Sequence, residues 1–485
     1  MSDPQDRIDA WLNAEVEPLT PPPGTFERIS HRAHRRKVGR ATMSVAGAAI
    51  VIAAAAAAPG IASMLQHPGP GHPQRPVAAG TPSPTSRPAV TSNASGGVNS
   101  QSSSPVPSPG ASLAPAGSEA PVPRNFQPTS VTFVGQGIGA VIGQAGTPGR
   151  CPIIPVDCTS LAGTSDYGTS WYGVSAPVTG APDGSRGVGQ LRFLDTREGW
   201  AFGPELWVTH DGGSTWTREK TYGMRVTDLE TAGNRAFALF ATCTGGGADY
   251  AARCTSFSLY TSVAGTDQWQ PVPGPAASLP LPPGAAGQAA SASLVLTGGP
   301  SGGQGYLLAP SGALLTGPIT GAAWTVASPS APCQPGAPGP GGQPTGGLLA
   351  ADSGELVLVC TSATSTAGDS QAKLVVESSD GGAHWSKGAS APRAGIAASV
   401  ATQAQDHLVV LATDAGLYRS GDGGLTWQRV QVPPAGAAAG QAGFSYVGMT
   451  SLTNGVALPA DPGLHEVFIT TDGGVSWQAH PVSLP

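Results

Sequence analysis

The sequence predicts an all-β protein: a seven-bladed β-propeller, with six or eight blades as the neighbouring solutions, preceded by one transmembrane helix and a disordered linker. Three observations carry this. A strand–turn–strand unit ending in Trp recurs along the chain. The tryptophans that end it, at 171, 216, 269, 324, 385, 427 and 477, stand 42 to 61 residues apart with a mean of 51, the length of one four-stranded blade. Ahead of the first unit lie an uncharged apolar run and then a stretch dominated by Pro, Ser and Gly.

The unit is clearest from Leu206 to Trp216, an alternating apolar run followed by Asp-Gly-Gly, a hydroxyl residue and Trp. It returns at Val375–Trp385, Leu417–Trp427 and Val467–Trp477. Gly supplies the positive φ of a tight hairpin turn, Asp can bond the turn amides, and Trp opens the return strand with a ring that needs a neighbouring unit to cover it. A second landmark precedes the box: Leu191–Gly203, Val131–Gly143 and Tyr446–Leu458 each read as the first two strands of a blade joined by a turn. A closed ring of such units removes the sheet edges that otherwise aggregate.

The chain has 485 residues, with 69 Gly, 48 Pro and only 11% charged residues, which suits a turn-rich all-β fold. Its net charge of -6 argues against nucleic acid as a partner, because a basic patch supplies most of that affinity.

Residues 1–40 form a cytoplasmic head. A short amphipathic helix is expected near 4–17, with Asp3 as cap, Pro4 in the first turn and Ile8, Trp11, Leu12 and Val16 on one face. A basic flank follows, from Arg28 to Arg40. Residues 41–65 carry no charge, and about 20 apolar residues suffice to span a bilayer, so this segment is read as a membrane anchor. A cleaved signal peptide is the rival reading; the long charged leader favours the anchor. The basic flank puts the N-terminus inside and the remainder outside, in the extracytoplasmic space. Residues 66–124 are the linker, too poor in large apolar residues to offset chain entropy. Residues 125–485 are the propeller.

Six cysteines, Cys151, Cys158, Cys243, Cys254, Cys333 and Cys360, all fall on the exported side, where disulfides persist. Fifteen pairings are formally open; the sequential one, which staples loops locally, is expected. Metal binding fits less well, since the pairs lack two-residue spacing and have no clustered His.

Other motifs have plainer readings. Gly135-Gln-Gly137-Ile-Gly139 scores as a dinucleotide fingerprint but runs into a second strand where the fingerprint needs a helix. His31 and His34 have metal-ligand spacing yet sit among basic residues that repel a cation.

The five complete units resemble the Asp-box, or bacterial neuraminidase repeat, in which Ser/Thr, Asp, Gly, Thr/Ser and Trp stand at fixed spacing. Thr164, Asp166, Gly168, Ser170 and Trp171 fit it, as do the copies centred on Asp211 with Trp216, Asp422 with Trp427 and Asp472 with Trp477. The copy of Asp380 and Trp385 departs only in having His384 at the hydroxyl position. Worn copies without the Asp lead to Trp269 and Trp324. A role needed equally in every blade reads as a turn closer and not as a catalytic acid or calcium ligand, because a catalytic centre needs different residues from different blades.

Sialidases bearing this repeat use an arginine triad, a Tyr–Glu nucleophile pair and an Asp acid/base; Arg192, Arg197, Arg225, Arg235, Arg253, Arg393 and Arg419 show no triad spacing, and the Arg-Ile-Pro of that family is missing. The Gly-Trp-Ala strand turn paired with the Asp-box is similar to propellers of the photosystem II assembly/stability-factor type, over roughly residues 126–485. That resemblance implies a propeller that binds folding intermediates of membrane complexes without catalysis. The head, anchor and tether resemble the layout of membrane-anchored proteins of high-GC Gram-positive bacteria. The expectation is therefore a non-catalytic extracytoplasmic scaffold, docking a protein partner or an envelope glycan, with no cofactor and no metal. A sialidase-like glycoside hydrolase and a transmembrane sensor of an outside ligand are the alternatives.

Overall fold

The computed structural model describes residue 113 and residues 120–135, 137–145, 158–243, 254–281, 292–299, 302–333, 346–364 and 370–483. These form seven antiparallel sheets, six of four strands and one of five, each made of strands consecutive in sequence. The protein is a seven-bladed propeller. The innermost strands are Gln127–Phe133, Gln190–Phe193, Arg225–Ala232, Ser293–Gly299, Gly346–Asp352, Ala397–Gln403 and Phe444–Met449, and in each blade strands A to D follow outward. Among the described residues no helix is long and apolar enough to cross a membrane. The expected head and anchor lie outside the described residues.

Seven apolar clusters hold the ring together, one between each pair of adjacent blades. Strand B of blade 3, Arg235–Cys243, shows how the sequence builds them. Ala236, Ala238 and Phe240 pack against blade 2, while Phe237, Leu239 and Ala241 pack against blade 4. Successive side chains point to opposite sheet faces, and both faces are covered, so the strand reads as a near-continuous apolar run.

The ring closes without a shared strand. Blade 1 is built wholly from N-terminal strands and blade 7 wholly from C-terminal ones. Phe126, fully buried, packs among Val456, Leu458, Val467 and Val482. Its amide donates to Ser483 Oγ at 3.1 Å, and its carbonyl lies 2.9 Å from His465 Nδ1.

Packing also begins upstream of residue 125. Leu113 is buried in the cluster between blades 1 and 2, and its carbonyl accepts from the Tyr172 hydroxyl at 3.2 Å. Gly173 N–H donates to Ala120 O at 2.6 Å, so the last part of the segment assigned to the linker lines the outer edge of blade 1. Leu113 is a large apolar residue in a Pro/Ser-rich context, and burying one such side chain contributes about 1.5–3 kcal/mol.

Candidate functional site

The box turns lie at one end of each blade, on the same face as the A–B hairpins, because strands A and C run the same way. In blade 2 Asp211 Oδ1 accepts from Thr209 Oγ1 at 2.8 Å and from Thr215 N–H at 2.9 Å, while Oδ2 accepts from the Thr215 hydroxyl at 2.7 Å. Thr209 Oγ1 in turn accepts from Gly213 N–H at 2.9 Å. Asp166, Asp422 and Asp472 make the same set with Ser170, Thr426 and Ser476. Asp380 makes it with His384, whose ring Nδ1 takes the place of the hydroxyl at 2.6 Å. The Thr426 hydroxyl and amide and the Ser420 hydroxyl hold Asp422 down at about 2; the amide and ring of His384 do the same for Asp380.

A further bond, not legible in the motif, docks four of the five box turns on their own blades. The residue after the box Asp takes positive φ, as Tyr167, Gly212, Gly381, Gly423 and Gly473. Its amide donates to the A–B hairpin: Gly212 to Arg197 O, Gly423 to His407 O, Gly473 to Thr453 O and Tyr167 to Gly137 O, at 2.8–3.0 Å. In the worn turns the residue just after strand C instead extends the ladder to strand B, Ala264 donating to Asn234 O and Ile319 to Gly303 O. In blade 3 Thr266 Oγ1 donates to Val263 O at 2.7 Å in place of the Asp network.

Each box tryptophan packs on the blade before its own. Trp171 belongs to the cluster between blades 7 and 1, Trp216 to that of 1 and 2, Trp269 to 2 and 3, Trp324 to 3 and 4, Trp385 to 4 and 5, Trp427 to 5 and 6, and Trp477 to 6 and 7. The return strand starts just after the Trp rather than at it, as at Thr217, Gln428 and Gln478, which leaves the ring free to turn back. The second box glycine lies under the same neighbour: a Cβ on Gly213 would come 2.7 Å from Val174, and one on Gly382 would strike Leu314.

The opposite face carries the D–A connections and the B–C loops. Cys243–Cys254 and Cys333–Cys360 are disulfides, and both lie at this face. Cys158 is also disulfide-bonded, and Cys151 lies outside the described residues. Four exposed large apolar side chains, Val178, Tyr222, Ile396 and Val432, stand on D–A connections of this face. Two of these connections are pinned from beneath. Thr179 donates to Glu205 Oε2 at 3.0 Å, and Glu205 also takes Trp207 Nε1–H at 2.9 Å and pairs with Arg218. The Lys373 ammonium donates to Pro392 O at 2.9 Å and to Gly395 O, Gln371 O and two neighbouring carbonyls, fixing the loop that leads to Ile396; its burial lowers it to about 8.

Between the faces runs a central channel with two adjoining cavities of about 700 and 880 Å³. Arg192 of blade 2 lines it and reaches the adjacent blade 3, its Nε 3.0 Å and its Nη2 2.9 Å from Glu230 Oε1. Its Nη1 donates to Leu191 O at 2.8 Å. Burial opposes the charge, but Glu230 outweighs it and holds Arg192 protonated. Asp228 accepts from Leu294 N–H of blade 4 at 3.0 Å, and burial, then the neighbouring Glu230 charge, push its carboxyl up. Tyr446 of blade 7 lines the same space, its phenol raised by burial.

Of the arginines considered for a sialidase triad, Arg192 is the single one among the described residues lining these cavities. Arg419 instead donates to Gly473 O at 2.8 Å, tying blade 6 to the box of blade 7, and Arg393 is exposed on a D–A connection. Asp228 and Glu230, both on the inner strand of blade 3, escaped sequence reasoning because their partners Arg192 and Tyr446 come from blades 2 and 7; a polar residue in the middle of an inner strand is the one signal that points to them. Among the described residues no group of three His, Cys, Asp or Glu could hold a metal ion.

No family model matches the chain, and no curated protein matches it. Several solved propeller structures are similar. YCF48 bound to D1 peptide aligns at 16% identity with a TM-score of 0.44, covering 73% of this chain and 93% of that one. YCF48 from Cyanidioschyzon merolae aligns at 17% identity with a TM-score of 0.41, covering 73% and 98%. The α-L-arabinanase of Penicillium chrysogenum complexed with arabinobiose aligns at 11% identity with a TM-score of 0.39, covering 73% and 98%.

Proposed function

We propose that the chain is a membrane-anchored, extracytoplasmic binding propeller without chemistry of its own, and that its loop face docks a protein partner. The observation that carries this reading is the placement of Val178, Tyr222, Ile396 and Val432. Of the eight exposed large apolar side chains among the described residues, four stand on this rim and two, Leu425 and Val475, on the box-turn face; apolar groups held on a rigid rim suit a protein interface. Disulfides and the Lys373 and Glu205 anchors keep that rim in shape before contact, which limits the ordering entropy lost on association. The anchor reading rests on the uncharged run at 41–65.

The test is a double substitution, Tyr222→Ser with Ile396→Ser, in the full chain. Capture of the partner from intact cells should fall at least about tenfold, as expected for the loss of buried interface anchors, while the melting temperature stays within about 2 °C because both side chains are exposed. Retained capture would sink the loop-face reading.

A further inference from the structure

We propose that the central channel is a second binding site, one that takes a cationic group, a primary ammonium or a guanidinium, against Asp228 and Glu230. The argument begins with a mismatch of charge. Among the described residues lining the two cavities, the charged side chains are Arg192, Asp228, Glu230 and Asp352, three carboxylates against one guanidinium. That guanidinium is already committed: two of its nitrogens grip Glu230 and a third bonds Leu191 O. Asp228 has backbone N–H groups of Leu294 and Leu229, and the nearby Arg192 charge does not offset its burial and the Glu230 charge.

A partly buried carboxylate whose stronger charged neighbour is another carboxylate is unfavourable, and it either keeps a proton or waits for a cation. Here burial and the Glu230 charge raise the Asp228 carboxyl, which favours the proton over the bare charge. The charged groups around it are Glu230 on its own strand and Arg192 from blade 2, with Asp352 of blade 5 in the same cavity lining; Tyr446 from blade 7 is a neutral phenol, and the inner strand of blade 4, Ser293–Gly299, brings no charged side chain. An arriving ammonium would displace the proton and gain from both carboxylates. An anion would meet only a guanidinium already paired.

The cavity has room for such a group, being about 700 Å³, and it is walled partly by hydroxyl and amide side chains, Thr227, Ser399 and Gln403 among them. The channel is also reachable, because Thr129, Ala398 and Ser445 on its inner strands are exposed. The cation can belong to a Lys or Arg side chain of a bound protein or to a free polyamine. This site is distinct from the loop rim and does not depend on it.

The test is calorimetric titration of the full chain in detergent, with agmatine, with spermidine and with a blocked decapeptide carrying one internal lysine, against glucuronate as the anionic probe. At least one cationic probe should bind saturably and glucuronate should not. Asp228→Asn, which keeps the acceptor for Leu294 N–H, should weaken binding by at least about tenfold, as expected for loss of a charged hydrogen bond. Ala398→Lys places a competing ammonium in the channel and should abolish it with the fold intact by circular dichroism. A stronger signal from the peptide assigns the site to a partner side chain, and one from spermidine to a free polyamine. No saturable cation binding, preference for glucuronate, or unchanged affinity in both variants would overturn the proposal.

Discussion

Nε2 of His210 lies 3.0 Å from Oδ2 of Asp267, so the box turn of blade 2 is tied to the worn turn of blade 3. Its Nδ1 lies 2.7 Å from Glu198 Oε2 on its own A–B hairpin. With a carboxylate at each nitrogen the ring is best satisfied as imidazolium. Burial opposes that charge, but the two carboxylates outweigh it and raise His210.

A pH dependence of stability follows. The folded value lies above the ordinary histidine value, so the contribution is fully present below about pH 6.5 and is lost as pH rises through the folded value. His210 is partly exposed, and solvent screening keeps the contribution below about 1 kcal/mol. Glu219 nearby is pushed up to about 7 by burial and then by Asp267. The check is therefore the difference in melting temperature between the protein and His210→Gln, which should be largest near pH 5.5 and shrink as pH rises through the folded value.

The box aspartates behave in the opposite sense. Asp211 is lowered, its hydrogen bonds from Thr215 and Thr209 outweighing the effect of burial, so its stabilisation is present above about pH 4 and fades as pH falls through the folded value. Asp211→Ala should destabilise by about 1–2 kcal/mol at neutral pH, given three accepted hydrogen bonds at a solvent-facing turn. Chemical denaturation at pH 7 and pH 2.5 would show the gap narrowing in acid.

Two glycines with the same φ separate backbone strain from packing. Gly354 and Gly382 both have φ 91°, but a Cβ on Gly354 meets nothing within 4 Å whereas one on Gly382 strikes Leu314 of blade 4. Gly354→Ala should cost about 1 kcal/mol, the penalty of a left-handed alanine. Gly382→Ala should cost about 1–3 kcal/mol more because the adjacent blade must shift. Equal costs in urea denaturation would mean that the box turns do not bear on the neighbouring blade.

The Cys333–Cys360 disulfide joins the D–A connection before blade 5 to its strand B, across a sequence separation of 27. Replacing both cysteines by serine should remove about 2–4 kcal/mol, mostly by relaxing the unfolded chain. Non-reducing peptide mapping of the natural protein should recover the pair intact.

Much of the fold was legible because each blade repeats a local pattern. The Gly199-Trp200-Ala201 landmark marks strand B of blade 2, and the seven tryptophans give the number of blades. What was not legible depends on ring closure. Phe126 meets Ser483 across almost the whole propeller sequence, and nothing local in either residue announces it. Leu113 lies in a Pro/Ser-rich run whose composition argues against order, yet one large apolar side chain finds the groove between blades 1 and 2. The channel network is hidden for the same reason: Arg192, Glu230 and Tyr446 are brought together by circular arrangement and not by spacing.

The central claim is that the loop rim is the face that meets a protein partner. A photo-crosslinking residue placed at Tyr222 on that rim, and in a separate protein at Leu425 on the exposed box turn of blade 6, tests it in intact cells. The account predicts one dominant protein adduct from position 222 and none from position 425. Adducts formed only from position 425, or from neither position while the protein hydrolyses an envelope glycan, would contradict it.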